Sequence, residues 1–227
     1  MKTREPQYQK HVELSENKGL TQLGILMNAA WEGDPRRLLF TLARYKFVAK
    51  MLSGMRRVLE VGCGDAFGTR LVRQEVETIC AVDFDPIFVK DIADRIHREK
   101  WGRWEIEVKQ HDMLTGPLLD DFDAAYSLDV FEHISKKDED VFLKNIVDSL
   151  NKNPVLIIGI PSLQSQVYAS EGSKQGHVNC KDGEELRRIL SKYFYHVFMF
   201  SMNDEVVHTG YYPMAQYLLA LCVGKRI

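Results

Sequence analysis

Apolar residues recur along this chain in two rhythms, and the change between them divides the sequence. Residues 1–18 are polar and hold no sustained period, which predicts an arm without regular structure. A helix is expected over residues 20–31. Asp34-Pro35 then offers an N-cap followed by proline at the first helical position. Leu38, Leu42, Tyr45, Ala49 and Leu52 follow at spacings of three and four until Gly54. That spacing predicts an amphipathic helix of about five turns.

From residue 56 short apolar runs alternate with helical stretches, the pattern of βα units around a mostly parallel sheet. Strands are expected at 56–61, 78–83, 104–110, 122–128, 154–160, 195–202 and 216–223. Helices are expected at about 66–75, 86–99, 137–150 and 182–192. A polar loop follows Pro161 and runs to Asn179. The organisation expected is a doubly wound α/β domain over residues 55–227, preceded by an arm and lid helices over residues 1–54.

Composition adds exclusions. The 227 residues are enough for one well-cored domain, and 45% hydrophobic with 27% charged residues is ordinary for a globular protein. A formal net charge of −2, with no basic run longer than pairs such as Lys136-Lys137, gives no global attraction to a polyanion. Nucleic acid is therefore a disfavoured partner. No apolar run reaches the roughly 18 residues of a membrane span, and the first residues are too charged for a signal peptide. A cytoplasmic protein without membrane insertion is expected, and its scattered Cys63, Cys80, Cys180 and Cys222 should be reduced thiols.

Candidate chemistry begins where the first strand runs into Gly62-Cys63-Gly64-Asp65-Ala66-Phe67-Gly68. Such a turn lets a ligand approach the backbone and meet the free amides of a helix start. Asp83 closes the second strand about 20 residues later, where an acid can hold ribose hydroxyls. Phe67 replaces the small third residue of a dinucleotide site, and Glu60 would repel a pyrophosphate but suit an ammonium. The site reads as built for an adenosine cofactor with a cationic end. Taken singly, Glu60 and Asp83 are equally consistent with a helix cap or an ion pair.

These residues resemble motif I of the class I S-adenosylmethionine-dependent methyltransferases, and Ala81-Val82-Asp83-Phe84-Asp85-Pro86 resembles the motif that follows it. Gln110-His111-Asp112-Met113 resembles the end of the family's third strand. The run from Phe122 to Ile134 resembles motif IV of the ubiquinone-type and small-molecule O-methyltransferase branch. The resemblance implies a seven-stranded, mostly parallel Rossmann-like sheet and S-adenosyl-L-methionine as cofactor. It implies Gly62 and Gly64 under the cofactor's amino-acid part, Glu60 near its ammonium and Arg44 near its carboxylate. It further implies Asp83 on the ribose, Phe84 flanking the adenine, Asp112 and Met113 at the adenine edge, and Leu128 lining the cofactor.

His133 and His177 fall beyond carboxyl ends of expected strands, where each is a candidate base or ligand and equally a hydrogen-bonded structural residue. The spacing Asp129-x-x-Glu132-His133, with His177 in a later loop, provides two imidazoles and two carboxylates for a divalent metal such as Mg, Mn or Zn. The arrangement resembles the acid-x-x-Glu-His pattern of small-RNA 3′-terminal 2′-O-methyltransferases, with Asp where they carry Glu. Without a metal, either histidine is a candidate general base. Trp101 and Trp104 are candidate stacking residues. The acceptor wall is expected from the N-terminal helices, the loop 162–179 and the segment 203–216.

The function expected is methyl transfer to an oxygen or nitrogen of a small molecule, a sugar intermediate or phenol-like metabolite. An RNA terminal hydroxyl is the alternative acceptor. The rival readings are a nicotinamide-dependent oxidoreductase and a cofactor-binding regulator without catalysis.

Overall fold

The computed structural model describes residues 1–99 and 106–226. Three helices come first, α1 (Gln9–Lys18), α2 (Ile25–Gly33) and α3 (Arg36–Met51). Then β1 (Arg57–Val61), α4 (Thr69–Arg73), β2 (Thr78–Asp83), α5 (Pro86–Glu99), β3 (Glu107–Gln110) and β4 (Phe122–Leu128) alternate. The rest comprises α6 (Glu139–Asp148), β5 (Leu150–Pro161), α7 (Glu171–Gly176), α8 (Gly183–Leu190), β6 (Phe194–Asn203), β7 (Val206–His208) and β8 (Tyr217–Lys225).

The described strands form one sheet in the order β3-β2-β1-β4-β5-β8-β6-β7. β1 to β5 pair in parallel, while β8 lies antiparallel between β5 and β6. Both faces are covered, so these strands read as nearly continuous apolar runs. The two-residue period sends Val58 to one core layer with Tyr45 and Val48 of α3 and Leu52 at its C-cap, and Leu59 and Val61 to the other with Phe142 and Leu143 of α6. An irregularity between Phe122 and Ala124 resets that alternation in β4. Phe122 and Ala125 consequently share the α6 layer, while Ala124, Tyr126 and Leu128 join the α3 layer.

The chain moves outward through β1, β2 and β3, then returns to place β4 on the free side of β1. Such a reversal opens a crevice beyond the carboxyl ends of the two strands. The turn after β1 and the turn after β4 therefore come together, and Val130 packs so closely on Gly62 that a Cβ there would run into its Cγ2.

Three sequence expectations need correction. The sheet has eight strands rather than seven, because Asn203 pairs with Val206 across the two-residue turn Asp204-Glu205. Asp204 adopts φ 49°, a conformation Asp tolerates, so β7 forms where a connection was expected. The arm holds the helix α1, and none of its residues is buried. Glu, Gln, Lys and Leu favour helix without an apolar stripe, and a search for periodicity passes over such a segment. The loop after β5 contains a 3-10 turn at Gln164–Tyr168 and the helix α7, started by Ser170, whose side chain accepts from Ser173 N. Trp101, Trp104 and the start of the expected third strand lie outside the described residues.

Candidate active site at the switch point between β1 and β4

The turn after β1 is organised by acids. Gly62 and Gly64 take φ of 73° and 52°, in the left-handed region that costs a residue with a Cβ. Gly64 N donates to Asp83 Oδ2 at 2.9 Å, and Asp85 N donates to Asp83 Oδ1 at 2.9 Å. A carboxylate offers about four lone-pair positions, so Asp83 retains acceptors for two further donors. Burial pushes its pKa up against these stabilising bonds. Asp65, one residue past the turn, accepts from Phe67 N at 3.2 Å and from Met27 N at 2.7 Å. It thereby clamps the start of α2 over the turn, and Leu26 stands against Gly64.

Glu60 lies on the α3 face of β1 and is buried. Its oxygens accept from Tyr45 Oη at 2.8 Å and Thr69 Oγ1 at 2.6 Å, which ties α3 and α4 to the strand. The carboxylate that the resemblance puts near an ammonium is thus also a structural knot. Burial, partly countered by these hydroxyls, raises its pKa to about 7. A carboxyl raised in the folded state stabilises fully below its unfolded pKa, and that stability is lost as pH rises through the folded value. Between pH 4.5 and about 7 the contribution falls by on the order of 3 kcal/mol. Asp65, Asp83 and Glu132 are raised too and share the trend. Glu60→Gln is therefore expected to flatten the decline of urea-unfolding free energy across this window relative to wild type. Parallel profiles for the two proteins would show that Glu60 titrates as an ordinary carboxyl.

Beyond β4, Asp129 takes φ 58°, and its carboxylate meets Arg44 Nη1 at 2.6 Å. The Arg44 guanidinium also lies 3.9 Å over the ring centroid of Tyr217. Arg44 was expected near the cofactor carboxylate and Asp129 among metal ligands, but the structure pairs them with each other. The reason is electrostatic: a partly buried guanidinium needs a counter-charge, and Asp129 is the carboxylate at hand.

The remaining three residues of the expected cluster converge. Ligand atoms of Glu132, His133 and His177 all lie within 4.8 Å of one another. The two imidazole centroids are 5.2 Å apart, and His133 Nε2 is 4.0 Å from Glu132 Oε1. A carbonyl only accepts, so His133 Nδ1 donates to Gly176 O at 2.8 Å. Gln166 Nε2 donates to Ser162 O at 3.1 Å, which leaves its Oε1 to accept from His177 Nδ1 at 2.7 Å. These outer hydrogen bonds occupy Nδ1 of both rings and leave Nε2 of each directed to the cluster, as outer partners orient metal-binding imidazoles. Burial and the neighbouring His133 lower the His177 pKa, which favours its neutral form. Glu132 is 1% exposed, and neither of its oxygens has a hydrogen-bond partner. Burial, then the negative Asp129, pushes its pKa well up. Two imidazole nitrogens and an otherwise uncompensated carboxylate fit a divalent cation with coordination positions to spare.

Phe84 stands 68% exposed beside Asp83, and Asp112 is exposed at the end of β3 with Leu114 N donating to its Oδ1 at 2.9 Å. The Met113 side chain instead joins the core, so it leaves only backbone at the expected adenine edge. Leu128 is buried at the end of β4, against Gly159. Sequence reading missed Asp65, Gln166 and Arg95. Buried Arg95 reaches the Asp65 carbonyl and pairs with Asp91 at 2.9 Å. Its place three residues after Ile92, on the inner face of α5, was the available signal. Gln166 carried none, because its role depends on a distant imidazole.

Residues 58–153 match the family model of the methyltransferase domain. A probable S-adenosylmethionine-dependent methyltransferase of Mycobacterium tuberculosis is 29% identical over 108 residues, covering 47% of this chain and 36% of that protein. The matched stretch thus spans about a third of the curated relative's length. Among solved structures, the methyltransferase domain of bacterial CtHen1 superposes with a TM-score of 0.64 at 18% identity, over 82% of this chain and 99% of that one. The N-methyltransferase NodS of Bradyrhizobium japonicum, bound to S-adenosyl-L-homocysteine, gives 0.60 at 17% identity, over 97% and 99%. At such identities the superpositions bear on fold alone. Residues 58–153 are thus similar to a methyltransferase domain, and the chain has the Rossmann-like α/β fold of the methyltransferase structures it superposes on.

Proposed function

We propose that this protein transfers a methyl group from S-adenosylmethionine to a hydroxyl or amine of a small molecule, assisted by a divalent cation held by Glu132, His133 and His177. The observation that carries the reading is the buried, unpartnered Glu132 carboxylate beside two imidazoles with Nε2 directed to the cluster, on the sheet edge that holds the glycine turn. The match of residues 58–153 to a methyltransferase domain supports the cofactor.

S-adenosylmethionine, when bound, supplies an electrophilic methyl on its sulfonium. In this reading Asp83 accepts from the ribose, Phe84 covers one face of the adenine, and Asp112 meets its edge. The glycine turn admits the amino-acid part, with Glu60 behind it. A bound divalent cation lowers the pKa of an acceptor hydroxyl. Glu132, His133 and His177 orient the acceptor, and α2, clamped by Asp65, excludes water from the turn. In this reading the reaction runs in the cytosol. Among the described residues no helix is long and apolar enough to cross a membrane, and all four cysteines are free.

Incubation of purified protein with methyl-labelled S-adenosylmethionine and pooled small-molecule acceptors tests the proposal. Label is expected in a low-molecular-weight product, formed together with S-adenosylhomocysteine. Binding of NAD without S-adenosylmethionine, or label appearing only in RNA, would overturn it.

A further inference from the structure

We propose that the cavity beside His177 binds a phosphate dianion carried by the acceptor. The inference rests on the methyl-transfer reading and names the chemical class of its acceptor. The cavity, of about 330 Å³, lies beyond the carboxyl ends of β4 and β5, and His177 forms part of its wall. That volume is at the lower end of small-ligand sites, roughly 300–1,000 Å³.

The charges around it are unequal. Lys136, Lys174 and Lys181 line the cavity against a single carboxylate, Glu185. Lys181 is buried and already matched, with Glu139 at 2.9 Å and Glu185 at 3.8 Å. Glu185 is further occupied by Arg188 at 3.8 Å, so it neutralises neither outer lysine. Lys174 meets Glu171 at 3.1 Å, an exposed i,i+3 pair on the short helix α7, and such a pair is weak. Among the described residues Lys136 makes no ion pair within 4.0 Å. Two ammonium groups therefore remain for a ligand, and their combined charge suits a dianion better than a carboxylate. Lysine binds phosphate as a mobile point charge and needs no planar fork geometry. Because His177 belongs both to this wall and to the Glu132-His133-His177 cluster, an anion held here presents the rest of its molecule to that cluster.

Titration of the full-length protein with inorganic phosphate, followed by calorimetry before and after chelation, tests the proposal. Saturable binding is expected to survive chelation, to be displaced by sulfate and to resist acetate. In the double variant K136Q/K174Q the affinity should fall about tenfold or more, with S-adenosylmethionine affinity unchanged. Both lysines are exposed, so the variant is expected to keep the wild-type thermal midpoint. The proposal is overturned by absence of saturable binding, by an affinity the double variant leaves unchanged, or by acetate competing as well as sulfate. Loss of binding on chelation would equally overturn it, since the anion would then sit on a metal. S-adenosylmethionine binding in the same samples reports separately on the methyl-transfer reading.

Discussion

Addition of Mn²⁺ or Zn²⁺ to chelator-treated protein is expected to raise its thermal midpoint by roughly 5–11 °C at a hundredfold excess over the dissociation constant. A ligand that binds only the folded state contributes about 2.7 kcal/mol at that excess. Each kcal/mol moves the midpoint of a chain of this size by about 2–4 °C. The gain has a structural source in Glu132, whose two oxygens are buried with no donor beside them. A cation would compensate that charge and use the Nε2 atoms that Gly176 and Gln166 leave unoccupied on His133 and His177. Glu132→Gln and His177→Asn should each abolish the shift. Glu132→Gln should also raise the metal-free midpoint at neutral pH, because burial raises the Glu132 pKa and folding must then bind a proton there, a cost the amide does not carry. Turnover should disappear on thorough chelation and return with the metal. Turnover that survives chelation and falls about 10²-fold in His177→Asn would instead make that imidazole a general base.

How far the site could be read from sequence depended on what fixed each residue. β1, β2 and β4 end where their apolar runs end, because parallel strands buried on both faces leave no ambiguity of period. Gly62, Gly64 and Asp83 stood out because a positive φ and a strand-end acid leave local marks. Glu132, His133 and His177 were grouped by spacing plus one distant residue, and the fold brings them together. The pairing of Arg44 with Asp129 left no such mark. It joins residues 85 positions apart and depends on how α3 crosses the end of β4. Likewise Asp65 was read as part of a glycine turn, whereas its carboxylate fastens α2 from 38 residues away. What escaped was the set of long-range polar contacts, which carry no period and no motif.

Asp83→Ala is expected to weaken S-adenosylmethionine binding tenfold or more. Each charge-assisted hydrogen bond to a ribose hydroxyl is worth roughly 1.5–3 kcal/mol, so losing one already reaches that factor. The substitution also strips Gly64 N and Asp85 N of the carboxylate they share, each at 2.9 Å, and frees the turn that the cofactor's amino-acid part would meet. The unfolding free energy should therefore fall by about 1–3 kcal/mol as well, since a buried amide is left without its acceptor. Asp83→Asn separates the two effects. Its side-chain oxygen can still accept one backbone amide, which should recover part of the stability, while the lost charge keeps ribose binding weak. S-adenosylhomocysteine provides the internal control, because it carries the same ribose but no sulfonium. Its affinity should fall by the same factor as that of S-adenosylmethionine in each variant. A folded Asp83→Ala protein with unchanged calorimetric affinity for both compounds would remove Asp83 from the ribose and leave it a turn residue only.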